Sequence, residues 1–555
     1  MLNILKQIGR ILLILLFSSP AWGTTFIVDG TNGGDAASCV TEPPTTECAT
    51  IQYVFDNAVT QSDTIEVEEG TYTITASITP AGTDDGVVGS PTIIQGKSGD
   101  TVVIDANSNN IHGFALTSLN YITIQDLTIT GADNANRSGI TMPVANNIIV
   151  QRCIITANKR GISMQAVNNT DVFDILLDSN IIHTNTEYGI FWNTGDTGVG
   201  EDGKAYNITI NNNDIYDNPR GVQYNSTDRA NGTEEMSSAL TITNNRVYSN
   251  ELYGIVMYDT DNNQGANTVS GNTIYDNGDT PAGGNANGLW LGNVSHTTIE
   301  DNTLYNNNSG LVDGIGIFLD TAGAGYETSY ITVRRNIAYN HDSCNTEIPW
   351  GGASSLNSSG IGICCGANNN DIYNNISYGN AVGISIDDAT VAGVNNKIYN
   401  NDLSGNRIGI QIDLRDAGST GHEIQNNIIS GNTYGEKTNF GMYINATTIV
   451  TSGNITIDYN LWYDNDTDFD DNSGESWAQG VSNVAADPLF VNTAGGNFDL
   501  KTGSGAINTG TDLGDTYTYD YRGRNQDSFG SGWEIGARIY PSRKIHRKIS
   551  GQGVY

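Results

Sequence analysis

Basic residues are scarce in this chain. Its 555 residues include 25 Lys and Arg against 61 Asp and Glu, a formal net charge of −36. That balance repels phosphate backbones and anionic bilayers, and so argues against nucleic acid and membrane surfaces as partners. It also disfavours a polyanion held directly, without divalent cations as a bridge. Long apolar runs are missing too. Ile11 to Phe17 is far shorter than the roughly 20 residues that span a bilayer, and no other transmembrane candidate follows. None of the six cysteines shows CxxC spacing, which argues against zinc. Gly, at 65 residues, and Asn are abundant instead, the composition of turn-dense β architectures rather than of helical ones.

The chain is organised around Asn374 to Asp416, which holds two copies of one unit, NNISYGNAVGISIDD and NNDLSGNRIGIQIDLRD. Asn375 to Asn401 and Gly383 to Gly409 are both steps of 26. A fixed period of this size means a solenoid, and the alternation after each glycine makes its rungs strands. The position of Asn375 continues through Asp126, Cys153, Asn180, Asn213, Asn245, Asn272, Asn302, Arg335, Asn401, Asn427 and Asn460. Equivalent amides one rung apart can satisfy each other, because each supplies two donors and an acceptor oxygen. The preference of Asn for turns explains its abundance but not this register.

The ends differ from the middle. Residues 1–23 are predicted to be a signal peptide: Lys6 and Arg10 are the basic region, Ile11 to Phe17 the apolar one, and Ala21-Trp22-Gly23 the cleavage site. The alternative is an uncleaved anchor. Either way the chain is expected to be exported, secreted or held at the cell surface. Residues 24–120 form an N-terminal cap and first rungs, with Ile51, Val54, Phe55, Ala58 and Val59 on one face of a short capping helix. Residues 121–486 carry the repeats, 487–540 a closing segment, and 541–555 a basic tail with Arg543, Lys544, Arg547 and Lys548. In an oxidising compartment Cys39 is expected to pair with Cys48, and Cys344 with Cys364 or Cys365, leaving Cys153 free and buried.

The pattern N-x-[IVL]-x-x-N…G-I-x-[IVLM] resembles the repeats of right-handed parallel β-helix proteins of the pectate-lyase-like superfamily, bacterial secreted type. TIQYVFDNAVTQSDTIEVEEGTY and DPLFVNTAGGNFDLKTGSGAINTG resemble the opening and closing segments of such proteins. The resemblance implies an all-β fold, a right-handed parallel β-helix solenoid with a short N-terminal capping helix. It covers most of the chain and is uninformative about activity, since lyases, hydrolases, epimerases and adhesins share the pattern.

One outer face is the candidate site. On the strand after each Gly-Ile, residues one and three past the glycine point inward and residues two and four outward. The outward columns bring together Phe191, Tyr258, Trp290 and Phe318, with Gln411, and then Asp320, Asp387 and Asp413. Aromatic faces beside carboxamides suit sugar rings, so polysaccharide is the expected partner of a monomer. Asp387 and Asp413 share a register on consecutive rungs about 4.8 Å apart, where like charges need a cation, a shared proton or solvent. With Asp320 and Asp388 they could hold Ca²⁺, as in the lyases the repeats resemble. They could be an acid/base pair, as in the glycosidases. They could also be an ordinary solvated edge. A lyase further needs a base, for which Arg415 and Lys437 stand nearest and Arg407 follows. Asp387-Asp388 with Gly421-His422 faintly resembles the Asp-Asp and Gly-His elements of polygalacturonases, without their Arg-x-Lys element. The expected function is a secreted protein that binds, and as a lyase or hydrolase cleaves, polysaccharide. The rival is a non-catalytic surface or adhesive β-helix.

Overall fold

The computed structural model describes residues 23–540 apart from 42, 167–169, 195–202, 227–237, 261–265, 279–285, 308–313, 322–326, 342–357, 389–390, 415, 417, 434–438, 447–453 and 472–478. Residues 1–22 of the predicted signal segment, the basic tail, Cys344, Arg415 and Lys437 therefore lie outside the described residues.

Three parallel sheets run along one axis. Sheet 1 extends from Thr25–Val28 to Ile455–Asp458, sheet 2 from Gly70–Thr73 to Val484–Ala485, and sheet 3 from Phe114–Ala115 to Thr467–Asp471. The chain visits sheets 1, 2 and 3 in turn and returns to sheet 1 one rung further on, winding a right-handed solenoid. The alternation read from sequence sets the register. Ile384 pairs with Ile410 and Ile386 with Ile412, all four buried in the coil.

The double asparagines build the corners. Between sheets 1 and 2 one residue takes the left-handed conformation, for example Asn374 (φ 56°), Asn400 (φ 51°) and Asn426 (φ 57°). Asn tolerates that region better than most residues. The following Asn then points inward. Asn375 donates from its backbone N–H and from Nδ2 to Asn401 Oδ1, at 2.9 and 3.1 Å. The same bonds link Asn180, Asn213, Asn245, Asn272, Asn302, Asn336, Asn375, Asn401, Asn427 and Asn460.

A second ladder fills the corner between sheets 2 and 3. It runs Asn158, Asn185, Asn218, Asn250, Asn277 and Asn307, then His341, Asn380, Asn406, Asn432 and Asn465. It explains the glycine of each Gly-Ile. A Cβ on Gly383 would stand 2.5 Å from Gly409 O and 3.0 Å from Asn406 Nδ2, so only hydrogen fits.

Two positions correct the register expected from sequence. Asp126 (φ 60°) and Arg335 (φ 54°) occupy the left-handed corner, and the inward residues are Leu127 and Asn336. Leu127 cannot bond, so Cys153 is the first ladder position, its N–H donating to Asn180 Oδ1 at 3.0 Å. Its thiol lies 3.4 Å from Gln151 O and 3.7 Å from Ile124 O. These are the carbonyls that Nδ2 reaches in the other rungs, as Asn213 reaches Asn211 O and Leu177 O. Cys153→Asn should therefore extend the ladder and stabilise the fold by about 1 kcal/mol. The check is a raised urea midpoint at unchanged slope.

At the N-terminal end α1 (Ile51–Asn57) buries Ile51, Val54 and Phe55, and its N-cap Thr50 side chain accepts from Tyr53 N. Val59 is buried beside them and Ala58 packs against the same cluster. Cys39 and Cys48 are joined, and Cys153 is free and buried, as the sequence implies. Cys364 and Cys365 are joined to each other, which corrects the expected bridge to Cys344. No helix among the described residues is long and apolar enough to cross a membrane.

The segment from Asp487 runs back along the corner between sheets 1 and 2. Gly536 N donates to Asn426 O at 2.7 Å and Ala537 N to Asp402 Oδ1 at 3.0 Å. Tyr517 sets its ring edge-on against Tyr373 and Tyr399, and Phe498 closes on Tyr378. It clasps several rungs at once.

Candidate functional site

Sheet 2 can be set aside first. Its outward column stacks His183, Tyr216, Tyr248, Tyr275, Tyr305, Tyr339 and Tyr378 with centroids 4.8 to 5.0 Å apart. Each ring covers the face of the next, so only edges reach water and no face is left for a sugar. A cavity of about 580 Å³ lies at the corner of sheets 1 and 2, lined by Lys97, Asp126 and Arg152 among others. Its cations are already matched, Lys97 to Glu68 and Arg152 to Asp126.

The outer face of sheet 3 has the register expected. Trp290 pairs with Phe318, Ser385 with Gln411, Cys364 with Asp387 and Asp387 with Asp413. Trp290 brings the aromatic residues together, 5.2 Å from Tyr258 and 5.7 Å from Phe318. Yet beyond Phe318 much of this face is covered, with Asp320 only partly exposed. Phe318 and Gln411 are buried, Asp387 is 5% exposed and Asp413 2%. The pair thus stands side by side as predicted, but away from bulk solvent.

Asp388 does not join that pair. It falls at an inward position and is wholly buried, its Oδ2 3.2 Å from His422 Nε2. His422 Nδ1 accepts from Asn396 N, so His422 serves as a rung in a short third ladder with Asn370 and Asn396. The Asp-Asp and Gly-His elements do meet, but inside the coil, where no substrate reaches them.

The open part of the same face lies at the N-terminal end. A cavity of about 510 Å³ is lined by His112, Ala115, Thr117, Asn136, Thr141, Pro143, Arg160, Ser163 and Gln165. Thr141, Ser163 and Phe191 are neighbours in the second outward column, and Pro143, Gln165 and Asn193 in the fourth. The edge is a cation–aromatic column. The Arg160 guanidinium lies 4.7 Å from the Phe191 ring, and Arg220 lies 5.1 Å from Tyr188, which stacks on Phe191 at 4.5 Å. Arg160 also bonds Asn136 Oδ1 and reaches Glu187 at 3.2 Å.

His112 reports the local field. Ser138 N donates to its Nδ1, and Arg137 Nη1 stands 3.0 Å from its Nε2. Burial, and then the charges of Arg137 and Arg160, push its pKa down to about 4. In a chain this acidic, the pocket is an island of guanidinium groups, Arg137 and Arg160, partly offset by Glu187 3.2 Å from Arg160. Arg160 and Arg220 directly precede the glycines of clear repeats, whereas His112 and Arg137 belong to the rungs at Gly113 and Gly139, ahead of the clearest repeats, where the pattern does not single them out.

Residues 207–412 match the family model described as "Right handed beta helix region". No curated protein matches the sequence. Among solved structures, pectate lyase Pel9A is 14% identical, with 94% of this chain and 97% of that chain covered and a TM-score of 0.33. The A-module of the mannuronan C-5 epimerase AlgE4 of Azotobacter vinelandii is 16% identical, covering 75% and 91%, with a TM-score of 0.32. PfbA, a surface adhesin of Streptococcus pneumoniae, is 12% identical, covering 71% and 84%, with a TM-score of 0.41. Likenesses this distant follow the path of a solenoid and carry no activity.

Proposed function

We propose that this right-handed parallel β-helix protein binds an anionic polysaccharide along the outer face of sheet 3, at its N-terminal end. The observation that carries the reading is the 510 Å³ cavity with Arg160 in its wall, flanked by the Phe191 and Tyr188 rings. A guanidinium pairs with carboxylate or sulfate oxygens through parallel hydrogen bonds. Gln165 and Asn136 offer amides for sugar hydroxyls. The net charge then acts as selection, since only a chain whose anions line up with this island overcomes the surrounding repulsion.

Affinity electrophoresis in gels containing acidic or neutral glycans tests this. Retardation is expected with the acidic ones. Arg160→Gln should weaken it by about tenfold or more, the value of a hydrogen bond to a charged group. Equal retardation by neutral glycans, or an unaltered Arg160→Gln variant, would sink the proposal.

Cleavage is the second reading, favoured by the shared register of Asp387 and Asp413. It would place Ca²⁺ between those carboxylates, with Arg415 or Lys437 as the base, and it requires their cover to open. Following the same incubations for new reducing ends, with and without Ca²⁺, separates it from a binding or adhesive protein that leaves the glycan intact.

A further inference from the structure

The sequence argues against a thiolate metal site by spacing alone, but the fold places one where spacing could not show it. Neighbouring residues on a strand point to opposite faces. Cys364 and Cys365 break that rule because Cys365 takes the left-handed conformation, φ 63°, followed by Gly366 at φ 89°. The turn is closed by Ala367 N donating to Cys364 O at 3.0 Å, and held to the next rung by Cys365 N donating to Asp387 O at 2.8 Å. Both sulfurs are thereby brought together at the end of the fourth outward column, where Cys364 pairs with Asp320. One oxygen of Asp320 and the two sulfurs lie within 4.8 Å of one another. Ile315, Phe318 and Trp290 pack around the sulfurs. Cys364 is buried, while Asp320 and Cys365 are partly exposed, which leaves a way in.

We propose that Cys364, Cys365 and Asp320 form a redox-gated site for a borderline divalent cation of the zinc class. In the oxidised chain the sulfurs are bonded to each other and hold no metal. A dithiol reductant attacks the accessible sulfur. It breaks the Cys364–Cys365 bond, leaves as a cyclic disulfide carrying the two electrons' worth of oxidation, and returns two thiols to the protein. Binding a divalent cation then releases both thiol protons and forms two metal–thiolate bonds and one metal–carboxylate bond, with water completing the shell. Two sulfurs and one oxygen suit zinc or cobalt, not Ca²⁺, which takes six to eight oxygens. Asp320 was expected from sequence among Ca²⁺ ligands; its neighbours make it a ligand for a softer ion. The Cys39–Cys48 bridge has both residues fully buried, so mild reduction reaches Cys364–Cys365 first.

The test uses the full chain carrying Cys344→Ser, which removes the thiol outside the described residues. After dithiol treatment and anaerobic desalting, Co²⁺ is titrated while the near-ultraviolet sulfur-to-cobalt band is followed. The oxidised chain is expected to show no band, and the reduced chain one Co²⁺ per chain. Cys364→Ser and Cys365→Ser should each abolish the band, and Asp320→Asn should weaken binding by about tenfold or more. A reduced chain without a band, a band that survives either serine variant, or an Asp320→Asn variant of unchanged affinity would overturn the proposal. None of these readouts depends on glycan binding.

Discussion

Asn245→Ala should cost about 3–5 kcal/mol of stability, while Asn244→Gly, one residue away, should change it by less than about 1 kcal/mol. Asn245 is almost wholly buried in the first ladder. Its Oδ1 accepts from Asn213 N at 2.9 Å and from Asn213 Nδ2 at 3.0 Å. Its Nδ2 donates to Ile210 O at 2.8 Å and Asn272 Oδ1 at 3.0 Å. Alanine removes all four bonds and leaves Asn213 N–H and the Ile210 carbonyl without their side-chain partner. Each stranded buried group costs about 1–3 kcal/mol, more than a bond contributes when both partners go together. Asn244 holds the left-handed corner at φ 56°, and its amide makes one exposed bond to Asn211 Oδ1. Glycine keeps that conformation without strain. Because rungs contact mainly their neighbours, a weak rung can open alone. Urea unfolding should therefore be read together with hydrogen exchange at Asn213. Similar losses in the two variants would mean that the ladder does not hold the coil.

Adjacent asparagines with opposite roles also show what the sequence made legible. In Asn374-Asn375 and Asn400-Asn401 the doublet is visible, and so is the Asn five residues on, at Asn380 and Asn406. The first members turn corners, and the other two columns are the ladders. Where the doublet degenerates, as at Arg335-Asn336, the wrong member was assigned to the ladder. Its neighbour's side chain is long and charged, yet the backbone requirement at a corner is on φ alone. The glycine-led strands fixed the outward columns correctly from Ser163 to Gln411, because period 2 leaves only one other register and that one buries polar side chains.

What alternation cannot show is what lies over the wall. Asp387 and Asp413 point outward and are nevertheless buried. Exposure depends on what packs against a column, and the period-2 pattern of the column itself carries no information about that. Local charge was hidden for a similar reason. Arg137, Arg160 and Arg220 are 23 and 60 residues apart in the chain (160 − 137; 220 − 160). A net charge of −36 describes the average surface and not the place where these three edges meet. The bridge between Cys364 and Cys365 depends on a single φ that composition does not predict.

Raising the pH from about 5 to 8 should loosen the C-terminal segment while the central rungs stay shut. Asp402 is completely buried beneath that segment, and its Oδ1 accepts the Ala537 N–H at 3.0 Å. Burial pushes its carboxyl from 3.8 up to about 7, against the opposing pull of the Ala537 N–H and Arg538. Glu534, on the segment itself, is likewise raised by burial to about 7. The folded state therefore holds protons that the open segment gives up. Below about pH 4 both states are protonated and docking has its full strength. Between about 4 and 7 the open state ionises first, and the advantage of the docked state falls away. For Asp402 alone the difference of about 3 units corresponds to at most about 4 kcal/mol. Protection factors at the Ile535, Gly536 and Ala537 amides, already corrected for intrinsic exchange, should drop across this window, while Asn245 stays protected. Asp402→Asn keeps the acceptor for Ala537 and cannot ionise, so it should remove most of the dependence and leave only the share of Glu534. Protection that rises toward pH 8 would mean that Asp402 is docked as a carboxylate, matched by Arg538. The clasp would then be held by charge pairing rather than by a buried proton.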